Sequence, residues 1–245
     1  MAIGGPGIAL RWWHMVVLVV AVGTIAWFAG VDEQVWPKRF GVVQEGAIYR
    51  SGEPTPGATE AVVREYGIKT IIDLGAHTLD TPEERLAQRT ADALGVTRYR
   101  FGLIGDATGD PNDYVLALRI MNDPAHQPVW VHCAAGSERT GCLVAMHRIV
   151  NDGEDLDAAY AETTRFDHRT RKNPHLRAML ERWADGVREA YFAGGVVEFD
   201  RVADGIGGAG RGETNGDRVG PFERLDLPEP RAFAVESADA AEPDG

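Results

Sequence analysis

Short apolar runs alternate with amphipathic stretches along the middle of the chain. Residues 68–74, IKTIIDL, form a β-branched apolar run that predicts a central strand. Residues 128–132 predict a second buried strand, which leads directly into a polar turn. Further elements are expected as strands at 47–50 and 96–103 and as helices at 55–67, 81–94, 111–121, 141–150, 156–166 and 173–187. This alternation predicts an α/β fold with a mainly parallel central sheet flanked by helices on both faces.

An apolar run near the N-terminus has a different character. Residues 15–31 include no charged side chain, and with Trp12 and Trp13 the stretch approaches the roughly 20 residues that cross a bilayer. Tryptophans near both ends suit the membrane interfaces. A cleaved signal peptide is the alternative, but Trp27 and Phe28 make a poor cleavage site. The run therefore predicts a single-pass transmembrane helix. Because basic residues flank both of its ends, the side of the membrane that the rest of the chain faces stays open.

These patterns divide the chain into three parts. Residues 1–39 are expected to hold the membrane anchor and a connector, and residues 40–195 to form one α/β domain. Residues 196–245 are rich in glycine and acidic side chains and contain few large apolar ones. Such a composition cannot bury enough apolar surface to fold, so this last part is predicted to be a disordered tail.

Charge and cysteine content narrow the range of partners. The formal net charge is -12, and no basic stripe interrupts the acidic character, which argues against a nucleic-acid partner. The histidines show no metal-ligand spacing, so no metal site is predicted. The two cysteines, Cys133 and Cys142, provide no disulfide framework. Cys142 lies in an apolar run and is expected to pack in the core, with a redox partnership with Cys133 as the alternative.

The polar turn after the second buried strand carries the most specific chemistry. Residues 132–141 read HCAAGSERTG, and Cys133 and Arg139 bracket the turn just before a predicted helix. If the turn curls around one centre, as Gly136 allows, the backbone N–H groups of residues 134–139 point inward and the helix start adds more. Arg139 offers a planar fork for two phosphate oxygens, and the positive field favours the thiolate of Cys133, the nucleophilic form. The turn therefore predicts a pocket for a phosphate-sized dianion. Attack by the thiolate on phosphorus would form a phosphocysteine. The hydroxyl of Thr140 can stabilise the thiolate when water cleaves that intermediate.

HCAAGSERTG resembles the signature of the cysteine-based protein tyrosine and dual-specificity phosphatases, His-Cys-x5-Arg followed by Thr or Ser and Gly. The stretch from YRSGEPTP to GIKTIIDLG is similar to the small bacterial dual-specificity-like type, and the likeness covers roughly residues 40 to 190. It implies a cysteine-phosphatase-like fold for the 40–195 domain and hydrolysis of a phosphomonoester through a phosphocysteine intermediate, with no metal or cofactor. The implied substrate is a phosphorylated protein, with phosphotyrosine as the usual target, or a small phosphomonoester. The resemblance implies that His132 orients the loop. The expected phosphate-binding residues are Ala134, Ala135, Gly136, Ser137 and Glu138.

The departing oxygen needs a general acid, which in this family is an aspartate upstream of the signature. Asp106 follows the predicted strand that ends in FGLI and precedes Cys133 by 27 residues. We rank it first. Asp110 ranks second, because its place just before a helix also fits a capping role.

Two other functions compete with hydrolysis. A phosphatase-like module could hold phosphopeptides without cleaving them, although the intact cysteine, arginine and threonine argue against this. Sulfur transfer of the rhodanese kind also uses a cysteine at the start of a loop, but the Arg139-Thr140-Gly141 continuation disfavours it. The acidic Glu138 argues against a densely phosphorylated inositol as substrate.

Overall fold

The computed structural model describes residues 12–26 and 36–199, which fall into two compact units. The first unit includes residues 36–99 and 128–136, and the second includes residues 100–127 and 137–199. The chain passes directly from the first unit to the second between Gly136 and Ser137, inside the predicted phosphate loop.

A five-stranded sheet forms the centre of the first unit. The strands are β1 (Gly41–Gln44), β2 (Ile48–Gly52), β3 (Thr70–Asp73), β4 (Thr97–Arg100) and β5 (Val129–Cys133), in the order β1-β2-β5-β3-β4. β5 runs parallel to both β2 and β3, whereas β1 pairs with β2 in antiparallel fashion. The α/β prediction is therefore confirmed, and the sheet is mixed. Sequence reading missed β1 because its four residues are too few to show a period.

Two helices pack on one face of this sheet. They are α2 (Pro56–Tyr66) and α3 (Pro82–Leu94). Each begins after a threonine whose side chain accepts a backbone N–H, and each ends at a left-handed glycine, as the sequence predicts. Val62 of α2 and Ala91 of α3 are fully buried against apolar side chains of the strands. The other buried members of this cluster are Tyr49, Ile68, Ile71, Val96 and Trp130.

The described part of the second unit is helical. Its helices are α4 (Pro111–Asn122), α5 (Glu138–Val150), α6 (Leu156–Thr164) and α7 (His175–Ala193). α5 contacts each of the other three, and eleven of its thirteen residues are buried. Because it is apolar on most faces, α5 suits this central position. Val197, which follows α7, exchanges two hydrogen bonds with the Asn112 side chain.

The predicted N-terminal anchor is described only in part. α1 covers Trp12–Ala26, fifteen residues whose large apolar side chains are exposed. Within residues 12–26 and 36–199, no helix has both the length and the apolar character that a bilayer crossing requires. Residues 27–31 of the predicted span lie outside the described residues, so the anchor stays a prediction. The predicted tail lies outside them too, from residue 200 onward.

Candidate active site

The signature connects a strand to a helix, as predicted. Cys133 is the last residue of β5 and α5 begins at Glu138, slightly before the Thr140–Gly141 position near which the sequence placed the helix start. The Cys133 side chain is buried, and the backbone N–H of Gly136 donates a hydrogen bond to its Sγ at 3.2 Å. Gly136 adopts the left-handed φ of 80° that turns the loop back towards the cysteine. The nucleophile candidate therefore lies inside the curl of its own loop.

The loop rests directly on the end of β2. A Cβ on Gly136 would lie 2.7 Å from the carbonyl carbon of Ser51 and 2.8 Å from the Cα of Gly52. Gly52 in turn sits so close to the loop that its own Cβ would approach the Ala135 carbonyl oxygen to 2.8 Å. Glycine at both positions is therefore required for this contact of backbone on backbone.

Arg50 supports the loop through a hydrogen bond to its backbone. The sequence did not predict this role. It lies in the middle of β2, is 1% exposed, and its Nη2 donates to the carbonyl oxygen of Gly136 at 2.5 Å. A guanidinium buried in a strand needs hydrogen-bond acceptors. An arginine in the otherwise uncharged run IYRSG is the signal that could have identified it as a residue that positions the loop.

His132 and Asp73 occupy paired positions on the adjacent strands β5 and β3. Asp73 is fully buried and accepts from Arg98 Nη2 at 2.5 Å, while Arg98 also forms a two-point ion pair with Glu84 of α3. Burial by itself would raise the pKa of Asp73. The charges of His132 and Arg98 and the backbone N–H of Ala76 outweigh that effect and lower the pKa below its ordinary value. A charged network therefore lies beside the histidine that is predicted to orient the loop.

The first loop residues are also held by neighbouring segments of the first unit. The backbone N–H of Glu53 donates to the Ala134 carbonyl oxygen at 3.2 Å, and Arg39 Nη1 donates to the Ala135 carbonyl oxygen at 2.8 Å. The Glu53 side chain forms an ion pair with His77. Burial raises the pKa of Glu53 more than the positive charges of His77 and other neighbours lower it.

The rest of the signature begins the second unit. Ser137 precedes α5 without capping it through its side chain, Arg139 lies in the first turn, and Thr140 is fully buried. The Glu138 carboxylate receives a hydrogen bond from His168 at 2.7 Å, and the opposite ring nitrogen of His168 contacts the hydroxyl of Tyr160. Glu138 is therefore engaged by α6 and the segment that follows it, an arrangement that the sequence did not predict.

Both general-acid candidates belong to the second unit. Asp106 Oδ1 accepts hydrogen bonds from the backbone N–H and the hydroxyl of Thr108, and its carbonyl oxygen accepts from Asn173. The next residue, Ala107, has a left-handed φ of 75° and receives a hydrogen bond from the buried hydroxyl of Tyr114. These contacts define a tight turn around Asp106, whose side chain is partly exposed.

Asp110 has a different role. Its Oδ1 accepts from the backbone N–H of Asn112 at 2.9 Å and caps α4. The capping alternative considered for this residue is therefore present in the structure.

Cys142 is a buried side chain of α5, and burial raises its pKa to about 12. It therefore stays protonated and unreactive at neutral pH. Both cysteines are free thiols. Among the described residues, no three or more histidine, cysteine, aspartate or glutamate side chains are arranged to hold a metal ion.

Five of the predicted site residues lie together at the β5 end of the first unit: His132, Cys133, Ala134, Ala135 and Gly136. The next four residues of the signature follow directly along the chain, at the start of α5 in the second unit: Ser137, Glu138, Arg139 and Thr140. The second unit also contains Asp106 and Asp110. The catalytic roles assigned to these residues stay predictions.

Comparison with known proteins bears on the family of the chain. Residues 21–179 match a protein family described as a DSP-PTPase phosphatase fused to NAD+ kinase. The inositol diphosphatase DSP3 of Arabidopsis thaliana is 36% identical over 118 residues, which are 46% of this chain and 55% of that protein. This chain thus spans about half the length of the curated relatives that it matches.

Solved structures share the fold. The core catalytic domain of the PP-IP phosphatase SIW14 from Saccharomyces cerevisiae has a TM-score of 0.51 at 27% identity, over 60% of this chain and 86% of that one. TpbA of P. aeruginosa has a TM-score of 0.50 at 24% identity, over 66% of this chain and 99% of that one. With the family match over more than half of its length, the chain belongs to the DSP-PTPase family of cysteine-based phosphatases.

Proposed function

We propose that this protein is a metal-independent phosphatase that works through a phosphocysteine intermediate. The observation that carries the proposal is the hydrogen bond from the Gly136 N–H to Cys133 Sγ at 3.2 Å. The loop N–H that donates to the cysteine sulfur points into the curl of the loop, where a phosphoryl dianion would also find a hydrogen-bond donor. The carbonyl contact from Arg50 holds Gly136 in this orientation.

The proposed reaction has two steps. Cys133 Sγ attacks phosphorus, the bond from phosphorus to the leaving oxygen breaks, and Asp106 donates a proton to that oxygen. Water then attacks the phosphocysteine, the bond between sulfur and phosphorus breaks, and the Asp106 carboxylate takes up the proton of the attacking water. Arg139 and the loop N–H groups bind the phosphoryl oxygens throughout, and Thr140 stabilises the thiolate as it departs.

The names of the relatives support an inositol diphosphate as the first substrate to test. Phosphotyrosine, which the sequence resemblance implies, is the second. The objection that Glu138 places a negative charge in the loop is weakened, because this carboxylate is engaged by His168. With that pairing, the charge on Glu138 no longer argues strongly against a polyphosphorylated substrate.

Replacement of Cys133 by serine tests the proposal. We expect the wild-type chain to hydrolyse p-nitrophenyl phosphate and Cys133→Ser to lose activity by about 10⁴-fold or more, because the hydroxyl is a far weaker nucleophile here. Phosphate or vanadate should still bind to the variant in a calorimetric titration, since the loop N–H groups remain. Substantial activity in Cys133→Ser contradicts the mechanism. An inactive wild type that binds phosphate supports the phosphate-binding module instead.

A further inference from the structure

A short basic segment lies against the phosphate loop. Residues 36–40 read WPKRF and precede β1. The aromatic residues at its two ends, Trp36 and Phe40, pack on each other at 5.1 Å between ring centroids, and Phe40 packs on Tyr66 of α2 at the same distance. Aromatic contacts of this kind fix a segment to the protein. The two cations between these rings, Lys38 and Arg39, are therefore held in a defined place.

Backbone contacts place that segment beside the loop. The N–H of Gly52, the last residue of β2, donates to the carbonyl oxygen of Lys38 at 2.7 Å. The stem of the Lys38 side chain lies over Gly52, so that a Cβ on this glycine would lie 2.7 Å from Lys38 Cγ. Gly52 is in register with Cys133 of β5. Lys38 therefore contacts the β2 residue that lies next to the candidate nucleophile on the neighbouring strand β5.

Arg39 contacts the loop itself. Its Nη1 donates to the Ala135 carbonyl oxygen at 2.8 Å, and its backbone adopts a φ of 53°. A left-handed conformation is unfavourable for a branched or bulky side chain, and such strain concentrates at functional sites. The guanidinium is thus hydrogen-bonded to the phosphate loop, and the backbone of Arg39 adopts an unfavourable conformation in the same arrangement.

The acidic residues near this segment are partly compensated. Glu53, the acid next to Gly52, forms an ion pair with His77. Asp73 is fully buried and is paired with Arg98. Lys38 and Arg39 themselves are partly exposed, so their charges can meet a ligand in solution.

We propose that Lys38 and Arg39 form a second anion-binding subsite, which binds another phosphate group of the same substrate while one phosphoryl group occupies the loop. A substrate with several phosphates then gains a contact that a phosphotyrosine side chain, which carries a single phosphate, cannot make. This inference rests on the proposed function and deepens it. The signature supplies no lysine for such a substrate, and in this chain the additional cations come from the segment before β1.

The test compares two substrates with the 245-residue chain. Lys38→Ala combined with Arg39→Ala should lower kcat/KM for a diphosphoinositol polyphosphate by about 10- to 100-fold more than for p-nitrophenyl phosphate, mainly through KM. The size follows from the loss of one or two charge-assisted hydrogen bonds. Arg39→Lys keeps the charge without the fork and should fall in between. The matched control, Arg64→Ala with Lys69→Ala, removes two exposed cations of the same unit and should leave both values as in wild type.

A binding measurement decides the subsite independently of turnover. In the Cys133→Ser background, Lys38→Ala with Arg39→Ala should weaken inositol hexakisphosphate at least 10-fold more than inorganic phosphate in calorimetry. Equal losses for the two ligands would mean that these residues only support the loop, and an unchanged inositol hexakisphosphate affinity would also overturn the subsite. A wild type that is inactive on every substrate would refute the proposed function, and the binding ratio would still accept or reject the subsite.

Discussion

At the scale of single residues, two neighbouring aspartates show how local hydrogen bonds separate two candidates for one role. Asp110 caps α4 through its Oδ1, so this carboxylate oxygen already accepts a backbone hydrogen bond. Asp106 accepts from Thr108 in a turn on the partly exposed loop before that helix. The sequence ranked Asp106 first because Asp110 also fits a capping role, and that cap is present in the structure. The role of Asp106 as general acid stays a prediction.

Substrates with different leaving groups measure this role. We expect Asp106→Asn to lower kcat for phenyl phosphate by about 10²- to 10⁴-fold, because its poor leaving group needs the proton. The loss for p-nitrophenyl phosphate, whose leaving group needs little protonation, should be much smaller. Asp110→Ala should instead lower the free energy of unfolding by about 1 kcal/mol, because the helix cap is lost. It should change kcat for the two substrates by the same factor. Equal losses on both substrates for Asp106→Asn would point to a structural role.

At the scale of elements, the contact between the β2 end and the loop explains why glycine is needed at position 136. Gly136→Ala places a Cβ against the backbone of Ser51 and Gly52, where no flexible side chain can give way. We expect at least a 10-fold loss in kcat/KM, because the loop must shift away from Cys133 and β2. Gly67→Ala is the matched control: its φ of 63° is equally left-handed, but the space around it is open. It should cost about 1 kcal/mol of stability with activity retained, and an equally active Gly136→Ala would refute the proposed contact.

Element boundaries divide into those that sequence can predict and those that it cannot. The ends of α2 and α3 are set by local capping contacts, which depend on neighbouring residues alone. The capping residues are Thr55 and Gly67 for α2 and Thr81 and Gly95 for α3. The signature turn is equally local. By contrast, β1 exists because β2 pairs with it, and Arg50 acts on a loop that lies 86 residues further along the chain. Such contacts depend on tertiary pairing, which a single sequence does not report.

At the scale of the whole molecule, a buried ion network links β3, β4 and α3 through Asp73, Arg98 and Glu84. Asp73→Asn leaves Arg98 with less compensation and should lower the free energy of unfolding at neutral pH by about 3 kcal/mol. The folded-state pKa of Asp73 is depressed. Its contribution is therefore fully present above the unfolded value and is lost as the pH falls from 3.8 towards the lower folded value.

Urea unfolding at pH 7 and at pH 3 checks this expectation. The difference between wild type and Asp73→Asn should be largest at pH 7 and should shrink at pH 3. Asp185→Asn removes a fully exposed acid and should change stability by less than about 0.5 kcal/mol at either pH. A difference for Asp73→Asn that grows on acidification would contradict the assigned direction of its pKa.

The left-handed backbone of Arg39 sets stability against activity at one position. Asparagine or glycine adopts this conformation more easily than arginine, so a search for thermostable variants would favour those residues at position 39. The same replacements would remove the guanidinium from the rim of the phosphate loop. Selection for thermal stability would therefore favour asparagine or glycine at position 39, whereas selection for a polyanionic substrate would favour arginine. Engineering for heat tolerance should leave Arg39 unchanged.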